Sequence, residues 1–131
     1  MKWGVAPVVV AALLSCRENP APPPAAVASQ KFFTLMEAND TQLGGLTKEV
    51  QRRAGAEAYR KRTEMLRKLA TQAMALRVKE SDKDHQALMD EFKTFLAELD
   101  KADGKWLEKA DEAVKLIETG CNRCHARFKE D

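Results

Sequence analysis

A long stretch without proline is the feature that most constrains the fold of this 131-residue chain. Four of its five prolines lie between Pro20 and Pro24 and the fifth is Pro7, so no proline interrupts residues 25–131. Alanine, leucine, lysine, glutamate, glutamine and arginine dominate that stretch, and all of them favour helix. We therefore predict one almost wholly α-helical domain, because the chain is too short for two.

Apolar residues spaced three and four apart divide the stretch into four amphipathic segments. The predicted helices cover residues 29–51, 55–79 and 81–103, and a fourth follows the break at Asp103-Gly104. Ser29 and Ser81 are the predicted N-caps, with Asp84 in the first turn of the third helix. The short connections favour an antiparallel up-down-up-down four-helix bundle. The side chains expected to face inward are Phe32, Met36, Leu43, Leu46, Val50, Tyr59, Leu66, Leu69, Ala73, Leu76, Leu88, Phe92, Phe95, Leu96, Leu99, Leu107, Ala110, Val114, Ile117, Cys121, Cys124 and Phe128.

Near the chain end, Cys121-Asn122-Arg123-Cys124-His125 has the spacing that attaches a c-type haem. The two thiols can add to the two vinyl groups of a haem, and the imidazole can then bind the iron. On a helix these three side chains share one face, so all can reach the same porphyrin. A zinc half-site would need two more soft ligands, of which only His85 remains, and a thioredoxin-like pair would follow a strand. The predicted cofactor is one haem c.

The bundle topology limits which residues can bind the other side of the iron. In such a bundle the fourth helix ends at the same end where the first helix begins, the second ends and the third begins. The candidate ligands near that end are Met36, Met74, His85 and Met89. We predict Met36, because a thioether is a competent axial ligand and Met36 lies about two turns into the first helix, matching the depth of His125. The alternatives are an open or apolar distal site, and His85 or another methionine.

The first fifteen residues are predicted to be a secretion signal. A basic start at Lys2 precedes an apolar run over residues 5–14 that is too short to span a bilayer permanently. The run closes with Leu13-Leu14-Ser15-Cys16, which resembles a bacterial lipobox and predicts lipidation of Cys16; an ordinary signal peptide with an incidental cysteine is the alternative. Residues 16–28 form a Pro/Ala-rich tether, and residues 29–131 form the bundle. The residue after Cys16 is Arg17, not the aspartate associated with inner-membrane retention. We therefore expect a periplasmic protein with a lipid anchor in a bacterial membrane, for which the outer membrane is favoured and the inner membrane is the alternative.

Charge excludes one class of partner. The 22 basic and 20 acidic side chains nearly balance, and the sequence has no strongly basic face that would indicate nucleic-acid binding. Arg77, Lys79 and Arg123 are candidate neighbours of the haem propionates, with ordinary surface charge as the alternative.

A C-terminal Cys-x-x-Cys-His on the last helix of a four-helix bundle resembles the cytochrome c′ superfamily. Residues 124–129 are similar to that family's ending, and residues 33–39 followed by 42–46 are similar to its first helix. In its low-spin members a methionine at the position of Met36 binds the iron, whereas an apolar residue there blocks the site in five-coordinate members. The chain departs from the family between helices two and three, where a short polar turn over residues 77–84 replaces a long crossover that contains proline and covers the haem edge.

These features predict a one-electron carrier that binds redox proteins in the periplasm weakly and is not an enzyme. The alternative is a five-coordinate protein that binds nitric oxide or carbon monoxide on the distal face, with Met36 only packed over it. A more remote reading is a structural or chaperone-like bundle in which the motif is coincidental. Relatives often pair through their first two helices, and the composition leaves a homodimer open.

Overall fold

The fold consists of four helices in a computed structural model that describes the backbone of residues 24–128 and the side chains of residues 27–127. The helices are α1 (Pro24–Gln51), α2 (Ala56–Met74), α3 (Asp82–Asp103) and α4 (Ala110–Phe128). No strand occurs within residues 24–128, so the prediction of an all-α chain with four helices is confirmed. The predicted signal peptide, Cys16 and the first part of the tether lie outside the described residues.

Helix α1 already includes the five residues before Ser29, so the prediction that Ser29 caps this helix was wrong. Pro24 is tolerated in the first turn because the backbone N–H groups there have no partner within the helix. The last proline of the tether therefore lies within helix α1. The predicted end at Gln51 is confirmed, and Gly55 in the following connection has a φ of 113°, which glycine adopts without steric cost.

Helix α2 ends at Met74, several residues before the predicted end at Lys79. The guanidinium of Arg77 explains the difference, because it binds backbone carbonyls of the connection, which is not helical over residues 75–81. Its Nε donates to the carbonyl of Lys79 at 2.9 Å, and its Nη2 donates to the carbonyl of Glu80 at 3.0 Å and to Asp82 Oδ1 at 2.6 Å. Arg77 is thus engaged within its own loop.

Both predicted boundaries of α3 are confirmed. Ser81 Oγ accepts a hydrogen bond from the backbone N–H of Asp84 at 3.1 Å, and Gly104 follows the last residue of the helix.

The inward position predicted for Leu107 was wrong, because this side chain is 79% exposed. Trp106 is buried in its place, with 2% exposed, and its Nε1–H donates to Asp103 Oδ1 at 3.1 Å. A buried indole needs such a partner. The turn before α4 therefore directs Trp106 inward and Leu107 outward.

The core lies between the helices, each of which contacts the next in sequence, while α4 also contacts α1. Most of the predicted inward positions are confirmed as buried. The larger core side chains are Leu46, Val50, Tyr59, Leu66, Leu69, Leu88, Met89, Phe92, Phe95, Leu99, Trp106, Val114 and Ile117. Across residues 24–128, no helix has both the length and the apolar character that crossing a bilayer requires.

Candidate haem site

The last two turns of α4 carry the three side chains of the motif. Cys121 is buried and Cys124 is partly buried, while the side chain of His125 is 45% exposed. Both thiols are free. Because the positions are three and four apart, the helix places both thiols and the imidazole on one side.

Burial disfavours the thiolate form of both cysteines. It raises the pKa of Cys121 to about 12, and the carboxylate of Asp40 adds to this effect. Burial also raises the pKa of Cys124, with a contribution from the Glu91 carboxylate. Each thiol is protonated at neutral pH and is a weak nucleophile in the folded chain, whereas dithiol redox pairs have a lowered thiol pKa.

The imidazole of His125 faces α1. Its Nε2 lies 3.9 Å from Asp40 Oδ1, a separation longer than a hydrogen bond. Within the described part of the chain the ring has no hydrogen bond, so a ring nitrogen is available as a ligand. Two free thiols and an uncommitted imidazole on one helix face are a donor set that fits a haem c.

Met36 lies on the same face of α1 as Asp40. The two residues are four apart, which corresponds to about one helical turn and about 6 Å along the axis. The Met36 side chain is partly buried and packs against the core. The contact between Asp40 and His125 therefore places the Met36 face of α1 beside the end of α4.

The other predicted candidates for the distal position lie on α2 and α3. Met74 is the last residue of α2 and packs against the core, and Met89 is buried within the core. His85 lies at the start of α3, where its backbone N–H donates to the carbonyl of Ser81. Its Nδ1 is buried without a hydrogen-bond partner in the described residues.

Sequence reasoning missed a set of charged residues around the motif. Arg123 donates from Nη1 and Nη2 to the two carboxylate oxygens of Glu98, both at 3.1 Å, and from Nε to Glu91 Oε1 at 2.5 Å. Arg127 Nη1 lies 3.5 Å from Glu91 Oε2. We call these four residues the motif cluster. Its hydrogen bonds raise the pKa of the Arg123 guanidinium, which is paired with carboxylates of α3.

Gly120 makes room for this arrangement. A Cβ atom at position 120 would overlap the Glu98 carboxylate and would lie 3.5 Å from Phe95 Cδ1. Glycine therefore lets the carboxylate of Glu98 lie directly against α4 beside Cys121.

One signal in the sequence could have revealed the motif cluster. Glu91 and Glu98 are seven residues apart, and each immediately precedes a core residue, Phe92 or Leu99. Two carboxylates two turns apart at the edge of an apolar stripe indicate charges held against a neighbouring helix.

Within the described residues, no three histidine, cysteine, aspartate or glutamate side chains are grouped as a metal site. Comparison with models of protein families, with curated proteins and with solved structures gave no match to this chain.

Proposed function

We propose that the chain is a c-type cytochrome, a one-electron carrier that holds a single haem through Cys121 and Cys124. His125 is the proximal ligand of the iron and Met36 is the distal ligand. The observation that carries the proposal is the approach of His125 Nε2 to within 3.9 Å of Asp40, one turn from Met36. Haem c supplies an iron that gains or loses one electron.

Contacts between the helices support an antiparallel up-down-up-down bundle with the haem at the end where α4 terminates. Thr47 lies 3.4 Å from Glu118, whereas Asp40 lies 3.9 Å from His125, so residue numbers rise along α4 as they fall along α1. The same reversed order occurs in four further pairs, Thr63 with Asp103, Arg67 with Asp100, Arg123 with Glu98, and Arg127 with Glu91.

The side chains of the site favour electron transfer over catalysis. Cys121 and Cys124 belong to one helix, so two covalent links to that helix would fix both the position and the orientation of the haem. His125 and Met36 would hold the iron from its two sides, which would leave no coordination site for a substrate. A ligand set that stays the same in both oxidation states keeps the structural change on electron transfer small.

The location and the partners are proposed from the sequence. Lipidation of Cys16 would anchor the protein to a bacterial membrane, the outer rather than the inner one, with the bundle held in the periplasm by the tether. The partners would be redox proteins that bind weakly, and a homodimer is compatible with the proposal.

The proposal is tested on the full chain, expressed in a bacterium that attaches haem c. We expect peroxidase staining of the chain on a denaturing gel, and a sharp, split visible band on reduction that carbon monoxide does not change. Absence of covalent haem would reject the cytochrome assignment. A broad high-spin band that responds to carbon monoxide would instead favour the gas-binding alternative.

The distal ligand is tested by Met36→Ala, with Met65→Ala as the matched control because Met65 is exposed on α2. Loss of the thioether should give a high-spin spectrum and carbon monoxide binding in the first variant, while the second keeps the wild-type spectrum. A low-spin reduced spectrum in Met36→Ala would show that another residue binds the iron.

A further inference from the structure

We infer that the motif cluster sets the reduction potential of the iron bound to His125, with Arg123 and Glu98 as the two controlling charges. This inference rests on the proposed function, because it concerns the same site.

The cluster is fixed in position relative to the motif. Arg123 is the residue immediately before Cys124, and its two Nη atoms bind both oxygens of Glu98 at 3.1 Å. A bidentate ion pair of this kind restricts the conformations of both side chains. Gly120 places the same carboxylate against the turn that carries Cys121. The charges therefore keep one position relative to the two attachment points.

Both carboxylates are largely removed from water. The side chain of Glu91 is 8% exposed and that of Glu98 is 12% exposed. Charges in such positions are screened less than surface charges, so they act on a nearby iron more strongly.

Arg123 provides most of the compensating positive charge. It contacts both glutamates at hydrogen-bonding distance, whereas Arg127 lies 3.5 Å from Glu91 and its side chain is 57% exposed. Loss of the Arg123 charge would leave Glu98 without this cation.

The direction of the effect follows from the charge of the iron. Ferric iron carries one more positive charge than ferrous iron, so an uncompensated carboxylate nearby favours the ferric state and lowers the potential. Removing the positive charge of Arg123 should therefore lower the potential, and removing the negative charge of Glu98 should raise it.

The experiment is a spectroelectrochemical titration of the haem-loaded full chain as wild type, Arg123→Gln, Glu98→Gln and the double variant. At a fixed ambient potential, the ratio of reduced to oxidised protein should fall by about threefold or more in Arg123→Gln and rise similarly in Glu98→Gln. A unit charge about 10 Å from a redox centre would change this ratio by about fourfold at an effective dielectric constant of about 40, and by about 16-fold at about 20. The double variant should return toward the wild-type ratio.

Arg67→Gln is the matched control. Arg67 pairs with Asp100 and Asp103 at 3.0 and 2.8 Å, but these residues link α2 to α3. Its loss should leave the ratio of reduced to oxidised protein unchanged.

Two results would overturn the inference. In the first, Arg123→Gln and Glu98→Gln keep the low-spin spectrum and shift the ratio no more than Arg67→Gln does. In the second, both shift it in the same direction, which would indicate altered ligation rather than charge. A wild-type chain without covalent haem would instead overturn the proposed function, and with it this inference.

Discussion

Two polar clusters in this molecule each join an arginine to carboxylates of α3, but they lie in different surroundings. In the Trp106 cluster, which consists of Thr63, Arg67, Asp103 and Trp106, the Asp103 carboxylate accepts three hydrogen bonds. The donors are Arg67 Nη2 at 2.8 Å, Thr63 Oγ1 at 2.9 Å and Trp106 Nε1 at 3.1 Å. In the motif cluster, Arg123 instead binds two different glutamates.

The difference lies in what each cluster supports. Trp106 and Thr63 are buried in the core, so the Trp106 cluster satisfies polar atoms that folding has removed from water. The motif cluster lies beside thiols and a half-exposed imidazole whose ring nitrogens are uncommitted. Similar ion pairs therefore lie against the core in one place and beside the side chains of the candidate haem site in the other.

The largest effect that separates the two regions is expected from Trp106→Ala. Removing a buried indole should lower the free energy of unfolding of the haem-free chain by about 3–5 kcal/mol. His125→Ala removes a half-exposed ring and should change the free energy of unfolding by about 0.5 kcal/mol or less. Urea unfolding followed by circular dichroism measures both. Equal losses would show that the motif region also stabilises the haem-free fold.

A smaller effect, with a defined pH dependence, is expected from Asp103→Asn. Burial opposes ionisation of Asp103, but the hydrogen bonds from Arg67, Thr63 and Trp106 outweigh it and hold the pKa of this carboxyl below its ordinary value. Because the pKa is lower in the folded chain than in the unfolded chain, ionised Asp103 stabilises the fold above about pH 4. That contribution is lost as the pH falls further.

At neutral pH, Asp103→Asn should lower the free energy of unfolding by about 1–2 kcal/mol, and the difference from wild type should narrow below about pH 4. Urea unfolding across a pH series measures this. Asp100→Asn is the control, because Asp100 also binds Arg67 but its side chain is 73% exposed. If the two variants lost equal stability at every pH, the role assigned to Asp103 would be wrong.

The smallest effect is expected at Gly120. Alanine is favoured over glycine within a helix by about 1 kcal/mol. Gly44→Ala should stabilise the fold by about 0.5–1 kcal/mol, because no atom outside the local helix backbone lies within 4 Å of the added Cβ. Gly120→Ala should gain nothing or lose about 1 kcal/mol, because the added atom overlaps the Glu98 carboxylate that Arg123 holds. Thermal unfolding of both variants measures the difference, and an equal gain would show that Glu98 moves aside freely.

Three helix boundaries that follow from local preferences of the chain were predicted correctly. The Ser81 cap, the break at Gly104 and the end of α1 at Gln51 all follow from preferences that act within one or two turns. The errors occurred where a side-chain contact, which helix propensity and apolar spacing do not include, decided the structure. Helix α2 stops early because Arg77 binds the carbonyls of its own loop, and Leu107 is exposed because Trp106 binds Asp103.

The candidate site shows the same division. The shared face of Cys121, Cys124 and His125 could be inferred from the sequence. These residues are at most four positions apart, and the helix fixes their relative directions. The burial of Glu91 and Glu98 was not predicted, because it requires Arg123 on another helix to compensate their charge.

The order of the amino acids was enough to infer the helical content, the three donor side chains on one helix face and the apolar stripes that form the core. These depend on backbone hydrogen bonds and side-chain spacings within a few residues. Only the tertiary structure decided that His125 faces Asp40 on α1 and that Arg123 joins two carboxylates of α3. The physical reason is that helices far apart in sequence meet in the register in which their apolar faces pack, and that register decides which charged side chains come together.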